Sequence, residues 1–329
     1  MQKIRAAVVG VGYLGRFHAQ KYAQAEGCEL IAVVDSRQEA REQVAAELKT
    51  RALGDYRELF GAVDAVSVVT PTPAHFPVAR DFLGQGTHVL VEKPITETPA
   101  QARELIELAA RARCILQVGH LERFNAAILA AEPYLKSPNF VECNRMAPYR
   151  ERGTDVNVVL DLMIHDIDIV QTIVRAPIAT IDAVGTPVFS EEIDIANARL
   201  RFENGCVANV TASRVSVKTE RKLRIFEDDA YLSLDLQQKI LTVIRKRQEA
   251  PSPGELPVTI EERALEPGDA LKAEIDSFLE CVRTGRPPVV PGEAGLTALE
   301  TAMRITAQVQ ESLAARGGVP PGSVHVTGT

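Results

Sequence analysis

Lys93 and the pair Asp161 and His165 are the residues whose type and spacing best suit them to move a proton. The stretch Val89-Leu90-Val91-Glu92-Lys93-Pro94 puts a lysine at the end of an apolar run, just before a proline. A lysine drawn partly out of water can exchange protons near neutral pH. A solvated lysine paired with Glu92 is the other reading, and position alone does not choose between them. Further on, residues 158–174 read VVLDLMIHDIDIVQTIV. Asp161, His165, Asp168 and Thr172 recur there at helical spacing and form one polar stripe through an otherwise apolar element. Asp161 and His165 are then neighbours on that face, where a carboxylate favours the protonated ring and can orient it for acid–base work. A polar side that merely faces solvent is the plainer alternative. A buried stripe needs partners, and the apolar surroundings favour a functional one.

A second constellation binds rather than reacts. Gly10-Val11-Gly12-Tyr13-Leu14-Gly15 is a complete G-x-G-x-x-G between a strand-like run and a helix-like one. The first glycine permits a tight turn, the second lets a pyrophosphate approach the backbone, and the third lets helix and strand pack closely. The helix N-terminus offers N–H groups and partial positive charge to phosphates. Asp35 ends the next strand, 20 residues after Gly15. It would accept both adenosine ribose hydroxyls and repel a 2′-phosphate, which favours NAD over NADP. Arg37 is a counter-signal, since an arginine there can accommodate that phosphate. Val69-Thr70-Pro71-Thr72-Pro73-Ala74-His75 follows another strand at the edge where ligands of open α/β sheets bind. His75 has two readings, a satisfied first-turn helix residue or a group positioned near the cofactor. The expected cofactor contacts are Gly10, Gly12, Tyr13, Leu14, Gly15, Asp35, Ser36, Arg37, Thr70, Pro71, Thr72, His75, Glu92 and Lys93. No cluster with metal-ligand spacing is present, so no metal is expected.

These residues need a scaffold, and the first third of the chain supplies one. Apolar runs at 4–9, 30–34, 65–69, 88–91 and 115–118 alternate with helical stretches at 14–26, 36–49, 74–83 and 99–113. That alternation predicts a parallel, doubly wound α/β Rossmann domain over residues 1–120. Closely spaced strand-like runs then follow at 140–146, 178–184, 196–202, 207–213, 221–227 and 231–236, before helical segments at 269–283 and 293–314. They predict an α+β domain over residues 121–329, built on an antiparallel sheet. A tail rich in Gly, Pro and Thr is expected to fray from Gly317.

Composition sets outer limits. The 329 residues are 46% hydrophobic and 25% charged, with a formal net charge of -7. That balance suits a globular chain with a sizeable core and gives no global pull toward nucleic acid or anionic membrane. The five cysteines are widely spaced and form no C-x-x-C, which argues against a disulfide framework and points to a reducing compartment, the cytoplasm. The glycine-interrupted N-terminus does not read as a signal peptide, and no apolar run is long enough to span a membrane.

Taken together, GVGYLG, VTPTPAHFPVA, VEKPIT, DLMIHDID and FLECVRTGRPPVV resemble the glucose–fructose oxidoreductase/inositol dehydrogenase/rhizopine-catabolism (Gfo/Idh/MocA) oxidoreductase family, over almost the whole chain. The resemblance implies a Rossmann domain followed by a domain with a large open-faced antiparallel sheet, which members use to form homodimers or homotetramers. It implies that the lysine of E-K-P and the D-x-x-x-H pair are catalytic; the matching residues are Lys93, Asp161 and His165. A narrower likeness lies in Gln117-Val118-Gly119-His120-Leu121-Glu122-Arg123-Phe124-Asn125 and in 155–169, which are similar to UDP-N-acetylglucosamine 3-dehydrogenases. Ala126 departs from the proline many of these carry, and 145–150 matches their basic segment only loosely. Relatives of this type pass a 3-keto sugar to an aminotransferase for lipid A or other surface glycans.

The resulting expectation is an NAD-dependent dehydrogenase of a sugar hydroxyl, foremost the 3-hydroxyl of a UDP-N-acetylglucosamine. Lys93, Arg123, Asn125, Arg150, Asp161 and His165 are the expected substrate contacts. Arg145 and Arg152 complete a basic stretch fit for a pyrophosphate, although any one arginine taken alone reads better as a surface charge. His120 is undecided between core and site. His165 is the expected general base and Lys93 the donor to the same oxygen, with exchange of the two roles open. Three alternatives stand beside this reading: a dehydrogenase of a free polyol such as inositol, a glycosidase using NAD without net redox change, and a dinucleotide-binding regulator.

Overall fold

In the computed structural model, the alternating apolar runs and amphipathic stretches become strands and helices close to their expected bounds. The structure describes residues 3–150, 156–249, 255–315 and 317. The chain divides into two compact units, Met1–Phe124 with Asp269–Leu299, and Asn125–Gly268 with Glu300–Thr329.

The first unit runs β1 (Ile4–Val9), α1 (Tyr13–Gln24), β2 (Cys28–Val34), α2 (Gln38–Leu48), β3 (Arg51–Leu53), β4 (Ala65–Val68), α3 (His75–Gly84), β5 (His88–Glu92), α4 (Pro99–Ala112) and β6 (Leu116–Gly119). Its sheet has the order β3-β2-β1-β4-β5-β6 with every pairing parallel. Strand order reverses between β1 and β4, and ligands of such sheets bind beyond the strand ends at that switch point. β1, β4 and β5 are almost wholly buried, which is why they read as continuous apolar runs. The start of α4 follows from its sequence. Thr98 caps the backbone N–H of Gln101, the Gln101 side chain returns the bond, and Pro99 opens the helix. Strand β3 carried no signal, because its three residues begin with an exposed arginine.

The expected change near residue 120 marks the end of the parallel sheet, but the first unit also takes in residues from near the chain's end. Helix α7 (Ala270–Thr284) packs on α1. Its Leu271, Ile275, Phe278 and Leu279 share one buried cluster with Ile4, Val8 and Tyr22. Burial of that apolar stripe fixes where α7 goes.

The second unit holds α5 (Ala126–Ala131), β7 (Phe140–Met146), a π-helical turn at Val159–Met163, α6 (Ile164–Val174), and the strands β8 (Ile178–Thr186), β9 (Ile195–Phe202), β10 (Val207–Ser213), β11 (Glu220–Phe226), β12 (Ala230–Asp235), β13 (Ile240–Lys246) and β14 (Val258–Ala264). The final helix α8 (Gly292–Ala315) ends in this unit. The sheet order is β14-β13-β12-β11-β7-β10-β9-β8, antiparallel except for the parallel pair β7 and β10. Register aligns Ala183, Ala198, Val210, Cys143, Leu223, Leu234 and Leu241 in one row across the sheet. All of them are buried, so this row is the spine of the second core. On the opposite face Asn197 bonds Thr211, Arg199 bonds Asn209 and Arg224 bonds Glu142, all half-buried or exposed. Strands β13 and β14 lie beyond the expected set. β14 is exposed along most of its length and lacks the apolar alternation that announces a strand.

Candidate active site

The glycine loop forms a cradle at the switch point. Gly10 has φ +88°, and a Cβ there would lie 2.6 Å from the Val69 carbonyl oxygen. A Cβ on Gly15 would lie 1.8 Å from the Gly10 carbonyl oxygen, so helix and turn can approach only because both are glycine. At Gly12 such a Cβ would meet no backbone within 4 Å, only the flexible Arg37 guanidinium at an ordinary contact distance of 3.6 Å. No side chain caps the N-terminus of α1 and no acidic residue lies in its first turn, which leaves that positive end available to a phosphate. Asp35 Oδ2 accepts the Val11 N–H and Oδ1 accepts the Arg37 N–H, both at 2.9 Å, so the carboxylate is fixed beside the loop. Arg37 Nε contacts the same Oδ1 at 3.4 Å. Thr70 Oγ1, at the facing strand end, is buried with no hydrogen-bond partner among the described residues. These features fit a dinucleotide.

Lys93 follows β5 directly, is partly buried, and leads into a cis peptide bond to Pro94. His75 holds the loop carrying it. One ring nitrogen lies 2.9 Å from the Pro94 carbonyl oxygen and the other 2.8 Å from that of Thr70, so the buried ring ties together the loops after β4 and β5. A neutral ring donates to one of these carbonyls and a protonated ring to both. Burial pushes the His75 pKa down, and the two carbonyls oppose that shift. His75 is thus a satisfied first-turn residue that also positions, with both ring nitrogens facing protein carbonyls.

Glu92 points into the protein. Its Oε1 accepts from His18 Nε2 at 3.1 Å, and its Oε2 from the Lys93 backbone N–H at 3.3 Å. Burial works against its charge, but His18, Lys93 and His75 outweigh that and hold its pKa below the usual value. Sequence reading missed the company it keeps. His18 and Tyr22 on α1, Ser67 on β4 and Glu274 on α7 are all fully buried around it. Ligand atoms of His18, Glu92 and Glu274 lie within 4.8 Å of one another, a juxtaposition invisible to a search for sequence spacing.

In the second unit the Asp161–His165 segment departs from the regular helix expected. Val159–Met163 is π-helical and α6 proper begins at Ile164; such turns often occur at functional sites. Asp161 and His165 are both half-buried. Asp168 is buried, and its backbone carbonyl accepts the Thr172 hydroxyl, so Thr172 at the far end of the stripe is satisfied within the helix. The group that anchors the helix is Asp166, which is off the expected stripe. Arg145 Nε and Nη2 each donate to it at 2.8 Å, fixing α6 on β7. Arg145, expected among the donors to a pyrophosphate, is instead committed to this buried ion pair.

The remaining expected substrate residues differ in their surroundings. Asn125 plays a structural part. Its Oδ1 caps α5 through the Ala127 N–H, and its Nδ2 donates to the Leu236 carbonyl oxygen. Arg123 is half-buried in a 3-10 turn at Leu121–Phe124, and Arg150 is exposed. His120 is buried. Arg152 and Asp155 lie outside the described residues.

The sequence and fold match known proteins along nearly their whole length. A model of the oxidoreductase family, NAD-binding Rossmann fold, matches residues 4–120, and one of the oxidoreductase family, C-terminal alpha/beta domain, matches residues 139–314. UDP-N-acetylglucosamine 3-dehydrogenase of Acidithiobacillus ferrooxidans is 39% identical over 318 residues, covering 95% of this chain and 99% of that one. Its solved structure superposes with a TM-score of 0.89 over 94% of this chain and 98% of its own, at 38% identity. scyllo-Inositol 2-dehydrogenase of Bacillus subtilis is 25% identical over 339 residues, covering 97% and 96% of the two chains. No described helix is long and apolar enough to cross a membrane. Both matched regions, the parallel sheet with its glycine cradle and the mostly antiparallel second sheet agree: the chain belongs to the Gfo/Idh/MocA oxidoreductase family.

Proposed function

We propose that this chain oxidises the 3-hydroxyl of UDP-N-acetylglucosamine to the ketone, with NAD as the acceptor. The observation that carries this reading is the 39% identity to a UDP-N-acetylglucosamine 3-dehydrogenase across essentially both chains. Lys93, Asp161 and His165 are all present to serve the reaction.

NAD, when bound, supplies the two-electron acceptor. The Gly10–Gly15 turn and the uncapped start of α1 would hold its pyrophosphate, and Asp35 its adenosine ribose. The Asp35 carboxylate would repel a 2′-phosphate, so NAD is preferred to NADP. His165 takes the proton of the hydroxyl as it is oxidised, and Asp161 orients the ring. Lys93 donates a hydrogen bond to the same oxygen and stabilises the charge that develops there. Arg123 and Arg150 are the side chains we assign to the substrate's diphosphate. The half-exposed polar face of the second sheet is our candidate surface for a homodimer or homotetramer, checked by light scattering of the purified protein. The cytoplasm, with its NAD pool, is the compartment this reaction calls for.

The test is mass spectrometry of UDP-N-acetylglucosamine incubated with enzyme and NAD, with an amine trap to draw the equilibrium forward. A product lighter by two hydrogen atoms, with the carbonyl located at the 3-position and absent with Lys93→Ala, supports the proposal. No product with either NAD or NADP overturns the substrate assignment. Turnover of an inositol instead would move the assignment to a free polyol.

A further inference from the structure

Three ionisable side chains meet beneath the loop that carries Lys93. His18 and Glu274 are 0% exposed and Glu92 is 8% exposed. A polar chain runs into the cluster. Tyr22 Oη lies 2.8 Å from Ser67 Oγ, Ser67 Oγ lies 3.3 Å from His18 Nδ1, and His18 Nε2 lies 3.1 Å from Glu92 Oε1. With a neutral His18 every link is satisfied when Tyr22 donates to Ser67, Ser67 to His18, and His18 to Glu92. Glu92 also accepts the Lys93 backbone N–H. Its carboxylate is therefore well supplied with donors. Glu274 is not: neither of its carboxyl oxygens has a hydrogen-bond partner among the described residues.

Two carboxylates this close and this deeply buried do not both ionise. The pair needs one proton, and the donors facing Glu92 decide which residue keeps it. We propose that Glu274 is held as a neutral carboxylic acid beside the Glu92 carboxylate, and that it positions Lys93 by leaving Glu92 ionised and unrepelled between His18 and the lysine backbone N–H. Glu274 is thus a positioning residue, acting through Glu92. This inference rests on the reading that Lys93 touches the reacting hydroxyl. A divalent cation could in principle neutralise the same cluster. However, in this proton order His18 Nε2 carries a proton toward Glu92 and Nδ1 accepts from Ser67, so both ring nitrogens are already engaged.

The surrounding charges agree. Among the described residues α7 packs chiefly against α1, with His18 and Tyr22, and the turn at Leu121–Phe124, with Glu122 and Arg123, and Gln117 of β6 donates to the Glu274 carbonyl oxygen. Lys21 of α1 is taken up by Asp269, at the cap of α7. Burial, and then the charge of Glu92, push the Glu274 pKa well above the ordinary carboxyl value. Burial likewise raises the pKa of the Tyr22 phenol, which keeps its proton. Above the ordinary carboxyl range the unfolded chain releases this proton while the folded chain keeps it. Stability from this group is therefore present at low pH and is lost as pH rises toward the folded value.

The experiment uses the full chain with Glu274→Gln, which keeps a neutral polar group of similar shape, and Glu274→Leu, which removes it. Three readouts are expected. The infrared band of a protonated carboxyl is present in the wild type at neutral pH and missing in Glu274→Gln. The thermal midpoint of Glu274→Gln gains on the wild type as pH rises. Glu274→Leu loses kcat by about 10- to 100-fold with NADH binding retained, as for a displaced catalytic group, and Glu274→Gln recovers most of that loss and removes the alkaline limb of the pH profile set by Glu274. Absence of the carboxyl band, identical pH slopes, or failure of Gln to rescue overturns the proposal. So does a stoichiometric divalent metal in the purified protein that disappears with Glu274→Gln. The infrared and thermal readouts need no substrate. If they appear while the wild type leaves UDP-N-acetylglucosamine untouched, the substrate reading fails and the Glu274 assignment stands.

Discussion

Arg145 holds Asp166 with two parallel hydrogen bonds of 2.8 Å, both side chains almost completely buried. The pair fastens the helix bearing Asp161 and His165 to the central strand β7 of the second sheet. Removing one partner leaves a buried, uncompensated charge. Asp166→Ala should therefore destabilise the protein by about 3–5 kcal/mol. The double variant Arg145→Met with Asp166→Leu should lose clearly less. Urea unfolding of the three proteins, read at both midpoint and slope, measures the difference.

Asp194 gives an acid-side signature. It accepts from the backbone N–H groups of Val188, Phe189 and Ser190, the Ser190 hydroxyl and Arg214 Nε. Burial opposes its ionisation, but Ser190, Arg214 and the backbone donors prevail and hold its pKa well below the usual carboxylate range. The stability it confers is present above the unfolded value of about 3.9 and is lost as pH falls through the folded one. Wild type should lose stability steeply in acid, and Asp194→Asn should be weaker at neutral pH with a flatter acid slope. Thermal midpoints between neutral pH and pH 3 decide it.

Lys93 and His165 should each be needed for turnover but not for cofactor binding. Lys93→Met and His165→Asn should lower kcat by about 10²–10⁴-fold, with NADH affinity near wild type by fluorescence titration. A parallel loss of NADH binding would mean that these residues hold the cofactor rather than act on the hydroxyl.

Cofactor choice should turn on one carboxylate. Asp35→Ser removes the charge facing a 2′-phosphate while keeping Arg37 nearby. The ratio of kcat/KM for NADP to that for NAD should rise by at least tenfold, or about 1.4 kcal/mol. An unchanged ratio would assign the discrimination elsewhere.

Gly119 makes room for Glu92. A Cβ at this position would lie 2.8 Å from the Glu92 carboxyl carbon. Gly119→Ala should cost about 1–3 kcal/mol as an overpacked core site and should lower kcat by displacing the loop of Lys93. Stability loss with kcat intact would separate packing from positioning.

Local chemistry made much of this protein legible. The apolar runs became β1, β4, β5, β7 and β10 within a residue of their expected limits, because burial on both faces or in alternation leaves its period in the sequence. The G-x-G-x-x-G turn was legible because glycine is the residue that fits where Cβ atoms would strike the Val69 and Gly10 carbonyls. Glu274 left a trace as well. It sits on the apolar stripe of α7 with Leu271, Ile275 and Phe278, a carboxylate where the period calls for a hydrophobe.

Tertiary structure decided the partnerships. His18 and Glu92 are 74 residues apart in sequence, and only the crossover from β1 through α1 and the stacking of α7 on α1 bring them to Glu274. The choice of Asp166 over Asp168 as the partner of Arg145, and the diversion of Asn125 into capping, depended on which surfaces met. The π-helical turn before α6 has no residue signature at all. A sequence carries the period of burial because each residue's own polarity sets it. A buried polar group's partner is set by packing between distant elements, which no local pattern encodes.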